Sequence, residues 1–292
     1  MLSLHTNNAA LSAQNSISRT QKSLSTSMTR LSTGFRINSA MDDAAGLQIA
    51  SRLKAQTSGM AVAMRNTQNS TSMLQTAEGA LDEVSNMLVR MKDLATQSAD
   101  ASSTGADKTA MQSEYDALGL ELSNVLHNTT FAGTKLLAGS SNTDGIIADA
   151  SGMTFQIGAS SSETMSVDLS GDMASLVADV SSASVKYAST AATAGTELTS
   201  DANATIGTLE TALASVGKVR SGLGAAANRL EHVYNNLANI STNSKAATGL
   251  IMDVDFATES SNMTSSQMLL QAGTAMLKQT NSMSSMVMSL LQ

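Results

Sequence analysis

The chain of 292 residues has no cysteine, no proline and no tryptophan. Without cysteine there is no disulfide, no thiolate zinc ligand and no thiol nucleophile. That absence leaves the compartment open, since a secreted protein can do without disulfides. Proline breaks helix interiors, so its absence favours long uninterrupted helices. Average usage would supply roughly 15 in a chain of this length. Aromatic residues make up only 2% of the sequence, and the apolar volume comes from Ala, Leu and 19 Met. Small and flexible apolar side chains suit extended helix-on-helix seams better than a bulky globular centre. No run approaches the ~18 apolar residues of a membrane span. The opening MLSLHTNNAALSAQ lacks the apolar stretch of a signal peptide. By targeting signals alone the chain reads as cytosolic; export without a cleaved signal leaves the same picture.

Net charge is −7 and the isoelectric point is near 4.9, which argues against nucleic acid as a partner. The charge is uneven. Arg19, Lys22, Arg30, Arg36, Arg52 and Lys54 outnumber Asp42 and Asp43 near the start, while Lys186 is the one base between Gly139 and Ser215. Chemistry-bearing motifs are missing. His5, His127 and His232 belong to no HExxH and no ligand cluster, and GxxxxGK[ST] is absent. Asp42 and Asp43 read as caps at a helix start or as salt-bridge partners rather than paired catalytic carboxylates. No catalytic, cofactor-binding or metal residue is expected.

What the sequence does contain is period. Ala10, Ala13, Ile17, Thr20, Leu24, Ser27 and Leu31 recur at alternating three- and four-residue steps near the start. Leu269, Ala272, Met276, Gln279, Met283, Met286 and Leu290 do so near the end. Leu270 and Leu277 begin a second stripe on that last segment. Such spacing keeps one face of each helix towards a neighbour. The two terminal helices read as partners, too weakly apolar for a deep core and suited to packing against copies of the chain.

Between them, Leu53, Met60, Thr67, Leu74, Leu81, Leu88 and Ala95 are spaced by seven, with Ala63, Ser70, Ala77, Val84 and Met91 at the complementary positions. A helix from Asp43 to Ser98 would run roughly 84 Å. Gly34 suits a helix end, and Ser39 or Asp42 a cap for the helix that follows. A third helix carries Met111, Tyr115, Leu118, Leu122 and Val125 on one face. Met153, Phe155 and Ile157 alternate with polar neighbours, as do Met165, Val167 and Leu169, which predicts a β-hairpin. The Ser-, Ala- and Thr-rich stretch 170–200 reads as a short helix and an exposed connection. From Asp201 the helical rhythm returns through Leu209, Val216, Leu223, Leu230 and Leu237, and Asp255 is placed to cap the last helix. The fold class is therefore mainly α: a long antiparallel helical bundle or coiled coil, a small hairpin near 153–169, and discontinuous domains made from both chain ends.

Several long motifs resemble bacterial flagellin. They are LSTGFRINSAMDDAAGLQIASRL (31–53), QTAEGALDEVSNMLVRMKDLATQS (75–98), FAGTKLL (131–137), NRLEHVYNNLANIS (228–241), DVDFATE (253–259) and QMLLQAGTAML (267–277). They cover nearly everything outside about 140–200. The opening MLSLHTN and the short length look most like the lateral type. The resemblance implies an inner-tube domain from 1–38 with 256–292. It implies an outer helical domain over 39–255, bearing the hairpin and an exposed excursion near 170–200. Large outer domains would not fit in so short a middle. Relatives commonly have proline in the final stretch, where this chain reads NSMSSMVMSLLQ, so the last turns are expected to continue as helix.

The same resemblance implies a structural subunit that is not an enzyme. It would be exported unfolded and assembled into a hollow extracellular filament for motility. Ile17, Leu24, Leu31, Leu270, Leu277, Met283 and Leu290 are then the expected subunit-packing residues. Expected partners are copies of the chain, an export chaperone and secretion apparatus, and the filament-cap and hook-junction proteins. Arg90, Leu94 and Glu114 match positions at which many flagellins are recognised by a vertebrate innate-immune receptor. Ser and Thr between Ser140 and Ser200 are potential sugar sites. Two rivals remain open at this point: a hook–filament junction protein, and a secreted amphipathic-helix protein acting on membranes or host receptors. The stripes lack the Lys/Arg-rich polar face that membrane surfaces favour.

Overall fold

The structure is a computed structural model that describes residues 7–137, 145–188 and 194–290, with side chains through Met283. Its elements run α1 (Asn8–Thr33), α2 (Ala44–Ala99), α3 (Gly105–Asn128), β1 (Thr130–Phe131), β2 (Thr134–Lys135), β3 (Met153–Gln156), β4 (Thr164–Val167), α4 (Ser170–Ala183), α5 (Val185–Ala188), α6 (Glu197–Ser200), α7 (Ala202–Met252) and α8 (Phe256–Leu290). The proline-free segments form helices of 56 residues in α2, 51 in α7 and 35 in α8. Gly79 does not break α2.

Two compact units divide the chain: Met1–Thr57 with Thr242–Gln292, and Ser58–Ser241. The sequence places the boundaries at the joints near 38 and 255; the structure divides inside α2 and α7. The physical reason is that both joints are tied within the first unit. Gly34 ends α1 in the left-handed conformation (φ 76°), and its N–H donates to the Arg30 carbonyl. Phe35 then bridges Asp253 antiparallel. Arg36 N donates to the Met252 carbonyl at 2.6 Å and Val254 N to the Gly34 carbonyl at 3.0 Å.

The second unit holds the main core. Every heptad position from Leu74 to Ala95 is buried, and Leu209, Val216, Leu223 and Leu230 of α7 meet them in one cluster. Tyr115 and Leu122 of α3 complete it. A smaller cluster joins Met60 and Ala63 to Leu237. Between the two lie Thr67 and Thr71, whose hydroxyls donate back to the Ala63 and Thr67 carbonyls. The hairpin pairs β3 with β4 in the register Met153↔Val167 and Phe155↔Met165, and Met153, Met165 and Val167 are buried. Period-two patterning read correctly because one face of this hairpin is covered.

The stretch 170–200 corrects the sequence reading. Among its described residues it is not an exposed excursion. Met173, Leu176, Val177, Val180 and Ala183 of α4 enter the main core, as do Tyr187 and Leu198. A polar lock holds the segment down. The Gln112 amide N–H donates to Asp116 and to Glu197, each at 2.8 Å, while its oxygen accepts Leu198 N–H at 2.7 Å. Asp116 accepts Gly195 N–H, Glu197 accepts Val185 N–H, and the Tyr115 hydroxyl donates to the Ala183 carbonyl. Buried polar groups so paired cost little; unpaired they would cost the segment its place. Residues 189–193 of the excursion lie outside the described residues.

Candidate subunit interface

The first unit pairs α1 with α8, antiparallel. Asn7 caps α1 by accepting Ala10 N–H, and its amide donates to the Thr280 carbonyl at 3.4 Å. Ile17 sits against Gly273. Arg30 approaches Glu259 at 3.7 Å. On α1 the covered face is the sequence stripe: Ala10, Ala13, Ile17, Thr20, Leu24, Ser27 and Leu31 are each buried or half-buried, with exposed residues between them.

On α8 the covered face is a different one from the strongest sequence stripe. Met263, Ser266, Leu270, Gly273, Leu277 and Thr280 are half-buried, and Glu259 is buried. Leu269, Met276 and Met283 point away, 59%, 65% and 58% exposed. The α1-facing side mixes Met263, Leu270 and Leu277 with Ser266, Gly273 and Thr280, and the approach is closest at Gly273, where a Cβ would stand 2.9 Å from Ile17 Cγ1. Leu270 and Leu277 thus lie in the hairpin of α1 and α8, Met283 lies on the outer face, and Leu290 falls among side chains outside the described set.

Apolar exposure is concentrated in this unit. Leu11, Met28, Phe35, Met41, Ile49, Leu250, Phe256 and Met268 join Leu269, Met276 and Met283 as exposed large apolar side chains. Ser27 is the one buried residue of α1. A unit with so little core and so much exposed apolar surface has the composition of an interface awaiting its other half.

The joints are pinned by carboxylates. Asp42 accepts from Asn38 N–H, Ser39 N–H and the Ser39 hydroxyl, and these bonds hold its carboxyl below the usual value. Asp43, rather than Ser39 or Asp42, caps α2 by accepting Gly46 N–H at 2.8 Å. Asp255 caps α8 through the Thr258 hydroxyl and Ala257 N–H, which likewise lower its carboxyl.

In the second unit Arg90 of α2 and Glu114 of α3 form a surface pair, with Arg90 Nε and Nη2 donating to Glu114 Oε1 at 2.9 and 2.6 Å. Leu94 is not beside them on the surface; it is 2% exposed and sits in the core. His127 stacks near Tyr187, with ring centroids 5.5 Å apart, and Nδ1 is shared with Ser123. Burial pushes the Tyr187 phenol up to about 12. Among the described residues no group of His, Asp and Glu is arranged to hold a metal ion, and no helix is long and apolar enough to cross a membrane. The Gln112–Asp116–Glu197 lock was missed from sequence. Its members lie in separate elements, and no local period marks them.

Comparison with known proteins fits this architecture. Residues 4–142 match the bacterial flagellin N-terminal helical region and residues 206–291 the C-terminal helical region. A flagellin of Halalkalibacterium halodurans is 38% identical, over 91% of this chain and 90% of that one. Polar flagellin F of Vibrio parahaemolyticus is 33% identical over 99% of both chains. The alignment with it runs to 374 positions, so the Vibrio chain carries segments absent from the 292 residues here. In fold alone, a putative flagellar hook-associated protein from Vibrio parahaemolyticus is similar, with a TM-score of 0.54 at 17% identity over 72% of this chain and 99% of that one. Both terminal regions match in order and two relatives align over at least nine tenths of the chain, so the chain belongs to the bacterial flagellin family.

Proposed function

We propose that the outer face of the α1–α8 hairpin is the surface through which one copy of this chain docks on the next. As a flagellin the chain is a structural subunit, not an enzyme, and it assembles with copies of itself into the extracellular flagellar filament. The proposal concerns how. Ile17, Leu24, Leu31, Leu270 and Leu277 hold the hairpin together, and Leu269, Met276 and Met283 meet the neighbouring copy; Leu290 continues their seven-residue spacing in the sequence. The hairpin belongs to the inner tube and the second unit to the outer layer. The observation that carries this reading is the exposed stripe Leu269–Met276–Met283, which α1 does not cover.

Before assembly the same stripe needs a temporary cover. A helical export chaperone fits that role, because an amphipathic helix lying in a groove covers i, i+3, i+4 and i+7 positions together. After export, cap and hook-junction proteins meet the same ends of the chain. Recognition by an innate-immune receptor would rest on Arg90 and Glu114, since Leu94 reaches no partner without unfolding.

The test is seeded growth followed by light scattering. Met276→Asp places an unpaired carboxylate in the contact, where desolvation costs several kcal/mol, and growth should stop. Thr211→Asp, on the exposed side of α7, should grow at the parent rate. Equal growth by both would remove the outer face of α8 from the interface.

A further inference from the structure

We propose that Met268, Met276 and Met283 form a site of oxidative modification that gates assembly: hydroperoxides convert these thioethers to sulfoxides on the free subunit and thereby exclude it from the polymer. The inference rests on the docking face proposed above and adds a regulation to it.

The observation is a partition of the methionines. Every strongly exposed one among the described residues lies in the first unit: Met28, Met41, Met268, Met276 and Met283. Met60, Met87, Met91, Met111, Met153, Met165 and Met173 are all buried, and all lie in the second unit. Reaction requires the sulfur to meet the oxidant, so the helical core is shielded and the hairpin is not. Three of the exposed thioethers share α8, two of them on the stripe itself seven residues apart. Cysteine, the more reactive thiol that would otherwise take the oxidant first, is absent from the chain.

The step balances simply. The thioether sulfur attacks one oxygen of the hydroperoxide, an S–O bond forms and the O–O bond breaks. Sulfur gives up two electrons. The departing oxygen takes the proton from the transferred one and leaves as water, or as an alcohol from an organic hydroperoxide. The product side chain is polar and chiral, and it no longer packs as a flexible apolar filler. A face meant to be buried against another copy would carry dipoles with no partner. Once a subunit is packed, the same sulfurs lie inside the contact and are protected, so the gate acts only before assembly.

The experiment uses the full chain and dilute hydrogen peroxide, with peptide mass spectrometry and seeded growth as paired readouts. Sulfoxide should accumulate at Met268, Met276 and Met283 at least ~10-fold faster than at Met87, Met91 and Met173. Growth of the treated protein should fall about tenfold and return after incubation with methionine sulfoxide reductases. The triple variant Met268→Leu, Met276→Leu, Met283→Leu should keep its growth rate through the same treatment. Uniform oxidation across both units, unchanged growth with sulfoxide on α8, no recovery with the reductases, or equal peroxide sensitivity of the triple variant would each overturn the proposal. Met276→Asp separates the two levels. If that variant grows normally the docking face itself is wrong; if it stops growth while sulfoxides do not, only the oxidative gate falls.

Discussion

Gly273 of α8 faces Ile17 of α1 so closely that a Cβ on the glycine would stand 2.9 Å from Ile17 Cγ1. At this point the two helices approach closely, because the glycine leaves room for the isoleucine between the inward-facing Leu270 and Leu277. Leu269 and Met276 lie on the side that α1 does not cover.

Gly273→Val should force the hairpin apart. Overpacking of this kind costs about 1–3 kcal/mol, and it opposes the gain in helix propensity from losing glycine. We expect seeded growth to slow and the concentration needed for growth to rise. Ile17→Ala in the same chain clears the space and should restore part of the rate. A Gly273→Val variant that grows as fast as the parent would show that the close approach is not required in the polymer.

The lock on the 183–200 segment gives a second expectation. Gln112→Ala strips donors from Asp116 and Glu197 and leaves Leu198 N–H without its acceptor. Each buried group left unpaired costs about 1–3 kcal/mol. Urea unfolding should move to lower concentration, and amide exchange at Leu198 should accelerate. Exchange at Leu198 unchanged from the parent would contradict the hydrogen-bond assignment.

Arg90, Leu94 and Glu114 separate into two kinds of residue. Arg90→Ala breaks a half-exposed ion pair, worth about 0–1 kcal/mol. Leu94→Ala empties buried volume and should cost about 2–5 kcal/mol. Chemical denaturation of the two variants measures the difference. Similar midpoints would place Leu94 on the surface after all.

Acid should loosen the start of α8. Asp255 is held below its ordinary carboxyl value of 3.8 by the Thr258 hydroxyl and the Ala257 and Thr258 N–H groups. A carboxyl depressed in the folded state contributes stability above its unfolded value and loses it as pH falls through the folded value. The cap is therefore intact at neutral pH and fails below about pH 4. In the assembled protein, amide exchange at Ala257 and Thr258, corrected for its intrinsic pH dependence, should rise there in the parent. It should stay flat in Asp255→Asn, which keeps an acceptor that does not titrate. Identical profiles would assign the cap elsewhere.

Much of this architecture was legible in the sequence because helices declare themselves by period. The heptad from Met60 to Ala95, the stripe from Ala10 to Leu31, the hairpin alternation at Met153 and Met165, and the cap at Asp255 all stand where local pattern put them. Local pattern does not say which of two stripes on one helix meets the partner helix within the chain. On α8 both the Leu269–Met276 stripe and the Leu270–Leu277 stripe have helical spacing, and it is the second, with Gly273 between its leucines, that meets α1. Local pattern failed at 170–200. Met173, Leu176 and Val180 carry a helical period within a Ser-rich background, but their burial comes from the core built by α2, α3 and α7, which are distant in sequence. A motif match names Leu94 without saying whether it is exposed; the structure puts it in the core.

The most direct test of the docking face is amide exchange measured on the same protein before and after seeded growth. Isolated helices with weak apolar faces are marginal in water, and Ser27 is the one buried residue of α1 within the chain. Residues 8–33 and 256–290 should exchange quickly in the free subunit and become at least ~100-fold slower in the filament, because burial against a neighbouring copy stabilises them by mass action. Residues 74–95 and 209–230, which own the core, should be protected in both states. Strong protection of α8 in a verified monomer, unchanged on assembly, would contradict the assignment of its outer face to the contact between copies.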